Sequence, residues 1–230
     1  YGIFLAAELA SSPSLRKLRL DRPRRLDVDT KAAARPGSNS PRAKMTAPRA
    51  SPIILTVSRL VARKGIDTVL RALPEVFKAV PEAQYVVIGA GPELSSYQLL
   101  TTNYKLSDHV NFLGEVSDEE KTAWYRRADV FVLTPRQIGG DVEGFGLVYL
   151  EANAYGLPVI GSRTGGVPEA VLEGVNGLLV YPDDVHGTAQ AIIKLLTNKP
   201  LADKLGKQGQ ERVFKEFQWE KQALKLLKAL

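Results

Sequence analysis

Two acids set the first question. In "GGDVEGFGLVYLEANAYGLPVIGS", residues 139–162, Glu143 and Glu151 stand eight residues apart, with glycines around the first and an apolar, helix-like run between them. If a helix begins near Phe145, Glu143 lies at its mouth and Glu151 lies inside it. Eight residues at ~1.5 Å each separate them by about 12 Å. Two carboxylates that hydrolyse one glycosidic bond sit ~5–9.5 Å apart, so this spacing is awkward for a glycosidase. It suits two contacts to different parts of one extended ligand. The "GFG" between them exposes backbone N–H groups at a helix start, which favours a phosphate. This places a sugar at Glu143, a diphosphate over Gly144, Phe145, Gly146 and Leu147, and a ribose at Glu151. The alternative is a surface helix carrying two ordinary solvated acids.

Further chemistry sits in "SRLVARKG", residues 58–65. Arg59 offers a fork for a phosphate, Lys64 a mobile point charge, and Gly65 frees the backbone before the next helix. Together the two cations could neutralise a leaving diphosphate without a metal. "GAGPE" (89–93) is only part of a dinucleotide fingerprint and does not follow the first strand. "TGGVPE" (164–169) reads equally as ligand contact or as a tight turn into a short helix opened by Pro168. His109 and His186, the only histidines, read as structural or surface residues. "DVD" at 27–29 imitates a metal-binding pair but lies in irregular sequence, and no acid or histidine cluster has metal-ligand spacing.

The elements that must position these residues begin at Ser51. "IILTVS" (53–58), "YVVIG" (85–89), "VNFLG" (110–114), "DVFVLTP" (129–135), "PVIGS" (158–162) and "GLLVYP" (177–182) read as buried strands. Between them, "IDTVLRALPEVFKAV" has apolar residues at helical spacing, "PELSSYQLLTTNYKL" reads as a helix, and "SDEEKTAWYRRA" opens on a capping box of Ser117 and Glu120. The span of about 145–155 and the chain from about Asp184 also read as helical. Alternating strands and helices imply a Rossmann-like, doubly wound parallel sheet of about six strands with helices on both faces. Ligands of such sheets bind beyond the carboxyl ends of the strands, where all the loops named above fall.

Composition narrows the function. The chain has no cysteine, so disulfides and thiolate metal sites are excluded. Its net charge of +6 is carried by residues 1–50, with 11 Lys/Arg against 4 Asp/Glu, while the remaining 180 residues hold 20 against 21. Without interleaved aromatics this argues against a nucleic-acid partner and permits a weak attraction to anionic lipid. Residues 1–50 lack an apolar period and read as an irregular remnant of another domain and its linker; residues 51–230 read as one nucleotide-sugar-binding domain with C-terminal helices. The chain starts at Tyr1 and its only methionine is Met45, which suggests a fragment. No apolar run approaches the ~18 residues of a membrane span, and a cytoplasmic location, with room for peripheral membrane association, is expected.

Four signals in order, "ILTVSRLVARKG", "VIGAGP", "EGFGLVYLE" and "GLPVIGSRTGGVPEAVLEGVNGLLVYPDD", resemble the C-terminal, donor-binding domain of family 4 retaining glycosyltransferases of the GT-B fold. "GGDVEGFGLVYLEA" is similar in particular to mannosyltransferases that use GDP-mannose on lipid or polyisoprenoid acceptors. The resemblance implies that Arg59 and Lys64 hold the diphosphate, Glu143 the donor sugar, Gly144–Leu147 the sugar and phosphate through their backbone, and Glu151 the ribose. It puts the base near Val116, with Lys121 a further candidate. It implies no metal or other cofactor: the nucleotide sugar is a substrate, and the acceptor stays unidentified. "LDVDTKAAARPGSNSPRA" resembles the interdomain segment of that family without its usual glycine and aromatic. Only about 25 residues precede it, which implies that the acceptor domain is nearly absent, so the chain alone is expected to hold the donor and transfer little. The competing reading is a non-catalytic nucleotide-sugar-binding module, or a fragment that needs a separate acceptor domain.

Overall fold

In the computed structural model, residues 51–217 are described, so the readings placed on residues 1–50, including "DVD", and on the last thirteen residues lie outside the described part. Six strands form one sheet: β1 (Ile53–Val57), β2 (Gln84–Ile88), β3 (Val110–Gly114), β4 (Val130–Val132), β5 (Val159–Ser162) and β6 (Gly177–Val180). Their order is β3-β2-β1-β4-β5-β6, and every pairing is parallel. The expected doubly wound sheet is therefore present. All six carboxyl ends share one edge, and the chain reverses its direction of winding between β1 and β4.

Seven helices connect and cover it among the described residues: α1 (Ile66–Ala79), α2 (Leu94–Asn103), α3 (Asp118–Arg127), α4 (Leu147–Ala154), α5 (Val167–Ala170), α6 (Val185–Thr197) and α7 (Lys199–Glu216). Alternation along the strands splits the core into two layers, because successive side chains of a strand point to opposite faces. Ile54, Val87, Val130 and Ile160 pack with Val69, Leu73 and Val76 of α1 and Ile192 of α6. Leu55, Val57, Val86 and Phe131 pack on the other face with Trp124 and Tyr125 of α3 and Tyr149 of α4. Burial of all five β1 residues explains why that strand reads as a continuous apolar run instead of an alternating one.

Local signals hold with small shifts. The capping box of α3 is complete, Ser117 Oγ accepting from the Glu120 N–H while the Glu120 carboxylate accepts from the Ser117 N–H. β4 is shorter than its apolar run, three residues against the seven expected. The helix expected from about Phe145 begins instead at Leu147, because Gly146 adopts φ +76° and ψ +64°, a left-handed conformation that caps a helix from outside. Its successor in the chain, α5, is opened by Val167 with Pro168 in its first turn. The two histidines are structural and surface residues, as expected: His109 stacks on Phe77 at 4.4 Å between centroids, and the exposed His186 pairs with Glu75.

Close backbone approaches explain the glycine loops. A Cβ on Gly89 would fall 1.9 Å from the Ser58 carbonyl oxygen, and one on Gly91 2.3 Å from that of Leu60. "GAGP" is thus a packing surface for the loop after β1, to which it is tied by the Leu60 N–H bond to Ala90 O at 2.9 Å. Gly65, at φ +68°, has the same constraint, since its Cβ would stand 1.9 Å from Thr134 O. Gly65→Ala should therefore cost about 3 kcal/mol, combining ~1–2 kcal/mol of left-handed strain with ~1–3 kcal/mol of forced displacement. Gly139, at φ +59° with nothing within 4 Å of its Cβ position, should bear only the strain. Urea unfolding of Gly65→Ala beside Gly139→Ala measures the difference, and equal losses would contradict the close approach.

Candidate functional site

The site gathers where β1, β4 and β5 end. After β1 a short 3-10 turn, Ala62–Lys64, carries Arg63 and Lys64, and it closes on Gly65. After β4, residues 133–146 run across the sheet edge to α4. After β5 the chain passes through Gly165 and Gly166 into α5. Because β1 and β4 are neighbours in the sheet, residues about 80 positions apart in sequence meet.

Glu143 lies at the centre. It is 8% exposed, and its Oε2 accepts from Lys64 Nζ at 2.5 Å and from Arg63 Nη1 at 2.9 Å. The Arg63 Nε also pairs with Asp141 at 2.9 Å. Burying an ionised carboxylate is costly unless it is paired, so two cations on one oxygen account for how Glu143 can be buried at all. The loop is set from below by the two glycines. A Cβ on Gly165 would come within 2.1 Å of Glu143 O, and one on Gly166 within 1.7 Å of Gly144 O, while the Gly166 N–H donates to Glu143 O at 3.0 Å. "TGGVPE" is thus the expected tight turn into a short helix, and its glycines in addition shape the floor under Glu143, a role neither reading included.

Glu151 is also buried, at 9% exposure, on the second turn of α4. It accepts from the Tyr125 hydroxyl at 3.0 Å. Burial, together with the charge and hydrogen bond of Glu151, holds that hydroxyl well above the ordinary phenol range, so Tyr125 stays a proton donor. Tyr125 in turn stacks on Tyr155 at 5.6 Å. Burial of both acids rules out two solvated charges on a surface helix, the alternative the sequence left open. Tyr149, which donates to Leu133 O at 2.7 Å, lies against Gly146 and fixes the start of α4. Burial raises its phenol well above the ordinary range, and the charge of Glu143 adds to the rise.

The other expected site residues divide. Arg59 is exposed and makes no ion pair with a described residue; its carbonyl accepts from Ser58 Oγ at 3.1 Å. It shares a loop with Lys64 without joining the Glu143 cluster. Gly144 is exposed. Phe145 turns its ring to Phe217 at 5.8 Å, so only its backbone is offered to the site. Leu147 begins α4 and packs with Leu150, Ala154 and Val213; in the first turn the Tyr149 N–H donates to Gly146 O at 3.0 Å, while those of Leu147 and Val148 have no acceptor within the helix. Val116, after β3, is partly buried against the core. Lys121 pairs with Asp118 at 3.0 Å on α3.

Two residues escaped the sequence reading. Arg63 is one. The other is Arg136, whose backbone N–H donates to Arg63 O at 2.8 Å and whose Nε donates to Ala62 O at 3.2 Å. Its remaining nitrogens pair with Asp67 and Asp183. It staples the cation turn to the starts of α1 and α6. A run of three or more carboxylates or histidines arranged for a metal ion is absent among the described residues, and no described helix is long and apolar enough to cross a membrane.

A parallel sheet wound from β1 and β4 in opposite directions, with charged loops at its carboxyl edge, defines a Rossmann-like domain of the kind that makes up a GT-B enzyme. Residues 39–212 match the family described as glycosyl transferases group 1, and the chain belongs to that family. It is 38% identical over 181 residues to a GDP-mannose-dependent alpha-(1-6)-phosphatidylinositol monomannoside mannosyltransferase of Mycolicibacterium smegmatis, covering 78% of this chain and 47% of that protein. To the protein of the same name in Mycobacterium tuberculosis it is 40% identical over 177 residues, 76% of this chain and 46% of that one. Sucrose-phosphate synthase of Thermosynechococcus elongatus superposes with a TM-score of 0.71 at 35% identity, over 82% of this chain and 47% of that one. The C-terminal domain of a group 1 glycosyl transferase from Francisella tularensis superposes at 0.65 with 27% identity, over 73% of this chain and 86% of that domain. The chain thus spans about half the length of the curated relatives it matches.

The Tyr125–Glu151 bond gives a direct check on this geometry. Tyr125→Phe leaves a buried carboxylate short of a donor and should destabilise the fold by about 1–3 kcal/mol. Tyr155→Phe removes a hydroxyl bonded at 3.3 Å to Thr122 on a half-buried face and should cost less than about 1 kcal/mol. Urea melts of both variants make the comparison; the reverse ranking would contradict the buried bond.

Proposed function

We propose that this chain is the donor-binding half of a retaining glycosyltransferase that takes a sugar from a nucleotide-diphosphate sugar. GDP-mannose is the donor favoured by the names of its mannosyltransferase relatives. The observation that carries the reading is the buried Glu143 carboxylate beside Lys64, at the carboxyl edge of the sheet and four residues ahead of α4. An acid that could bind a hydroxyl, a cation that could bind a phosphate and a helix start thus stand together. In this reading Arg59 and Lys64 take the diphosphate charge, aided by backbone N–H groups of Gly144, Phe145, Gly146 and Leu147. Glu143 accepts from a donor-sugar hydroxyl. Glu151, with Tyr125 behind it, takes the ribose, and the loop around Val116 and Lys121 lies nearest the base.

Transfer breaks the bond between the anomeric carbon and the phosphate oxygen and joins that carbon to the acceptor oxygen. The acceptor proton passes to the leaving phosphate on the same face, which keeps the anomeric configuration. Lys64 and Arg59 stabilise the charge that develops on that phosphate, so the reading assigns no role to a metal. The acceptor, a lipid or glycan hydroxyl, must be positioned against the anomeric carbon. Positioning of this kind can supply ~7–11 kcal/mol of a barrier, and the reading assigns it to the half of the enzyme that this donor-binding half does not provide. Catalysis is therefore assigned to the whole enzyme, at the cytoplasmic face where a lipid acceptor would be met. A binding module without transfer remains the second reading, favoured by the half-length match to the curated relatives.

Calorimetry with GDP and GDP-mannose in the presence of EDTA tests the reading. Both should bind, and Glu151→Ala should weaken both about 10- to 100-fold, the ~1.5–3 kcal/mol of a charged hydrogen bond. Glu143→Ala should remove the advantage of GDP-mannose over GDP. Binding only with Mg²⁺ or Mn²⁺ present, or equal losses of both ligands in Glu143→Ala, would count against these roles.

A further inference from the structure

Two cations converge on one oxygen. Glu143 Oε2 is bonded by both Lys64 Nζ and Arg63 Nη1, and no described residue bonds Oε1. Under the donor-site reading, on which this inference rests, the Lys64 ammonium must also serve a phosphate. If Lys64 were the only counter-charge of Glu143, turning toward the phosphate would strand a buried carboxylate, which costs several kcal/mol. Arg63 changes that balance. Its Nη1 holds Glu143 and its Nε holds Asp141, both at 2.9 Å, so one planar fork grips a single loop at two points. Lys64 sits on a flexible stem with three rotatable donors, whereas the guanidinium fork is rigid. The backbone of the loop is held separately by its contacts with Gly165 and Gly166.

We propose that Arg63 is a positioning residue that keeps Glu143 paired while Lys64 hands its ammonium to the donor phosphate. Arg63 does not touch the ligand. It acts through Glu143, keeping that carboxylate paired and in place with Oε1 turned to a sugar hydroxyl, and it prevents Glu143 from monopolising Lys64. The division follows the chemistry of the two cations, since the rigid one stays and the mobile one moves.

The test is a double-substitution cycle on the 230-residue chain, with GDP affinity measured by calorimetry in EDTA and thermal melting used to check each variant's fold. R63Q should weaken GDP about tenfold when Glu143 is present, because Lys64 is then held by an otherwise unpaired carboxylate. In the E143Q background, where no carboxylate competes for Lys64, R63Q should change GDP affinity less than about twofold. A phosphate ligand, or a charge acting at a distance, would instead lose the same factor in both backgrounds, and that result overturns the inference. So does an unchanged GDP affinity in R63Q. Failure of the unsubstituted chain to bind GDP, UDP or ADP would overturn the donor-site reading itself, and the inference with it.

Discussion

The buried carboxylate of Glu143 is the constraint around which the site is arranged. A charge at 8% exposure needs counter-charge within hydrogen-bond reach, and the nearest cation in the sequence, Arg136, is itself paired with Asp67 and Asp183. Lys64 and Arg63 come from the loop after β1, the acid from the loop after β4, and the two meet because those strands are neighbours at the point where the winding reverses. The sheet order, more than any local feature, brings the pair together. Exact placement then depends on backbone contacts: Gly65 on Thr134, Gly91 on Leu60, Gly165 and Gly166 on the Glu143–Gly144 backbone. At each, a side chain would occupy space the neighbouring loop already fills.

The second acid is held by a different device. Glu151 sits on α4, an eight-residue helix that α7 braces from outside. Gly206 lets α7 approach Gly156 O, with a Cβ position 2.0 Å away, and Gln210 donates to Ala154 O at 2.9 Å. Arg212 bonds Ala170 O and Glu169 O, both at 2.7 Å, and so ties α7 to α5 as well. On the inner side Asn153 and Asn176 bond each other at 2.7 Å and satisfy the turn before β6. Glu151 is thus carried on a clamped helix.

Much of this was legible in sequence, for identifiable reasons. Buried parallel strands leave apolar runs, and α1 shows its apolar spacing even across Pro74. The Ser117–Glu120 box is a local signal and needs no tertiary context. α4 starts two residues later than its apolar spacing suggests because Gly146 takes a left-handed conformation that such spacing does not register. Arg63 was missed for a geometric reason. Adjacent residues in a helical turn usually diverge, so nothing in "ARK" says that both side chains reach one oxygen of an acid 79 and 80 residues on. Arg136 and the glycine floor were invisible for the same kind of reason: their function is a contact with a backbone whose place only the sheet order decides.

The central claim is that Glu143, Lys64 and Arg63 form one site in which the lysine changes partner and the arginine does not. A crystal structure of the chain with bound GDP tests it most directly. The account predicts a phosphate oxygen within about 3.2 Å of Lys64 Nζ, with Glu143 still bonded to Arg63 and its Oε1 open toward the position of the sugar. Diphosphate bound away from Lys64, or bound there with Arg63 released from Glu143, would contradict it.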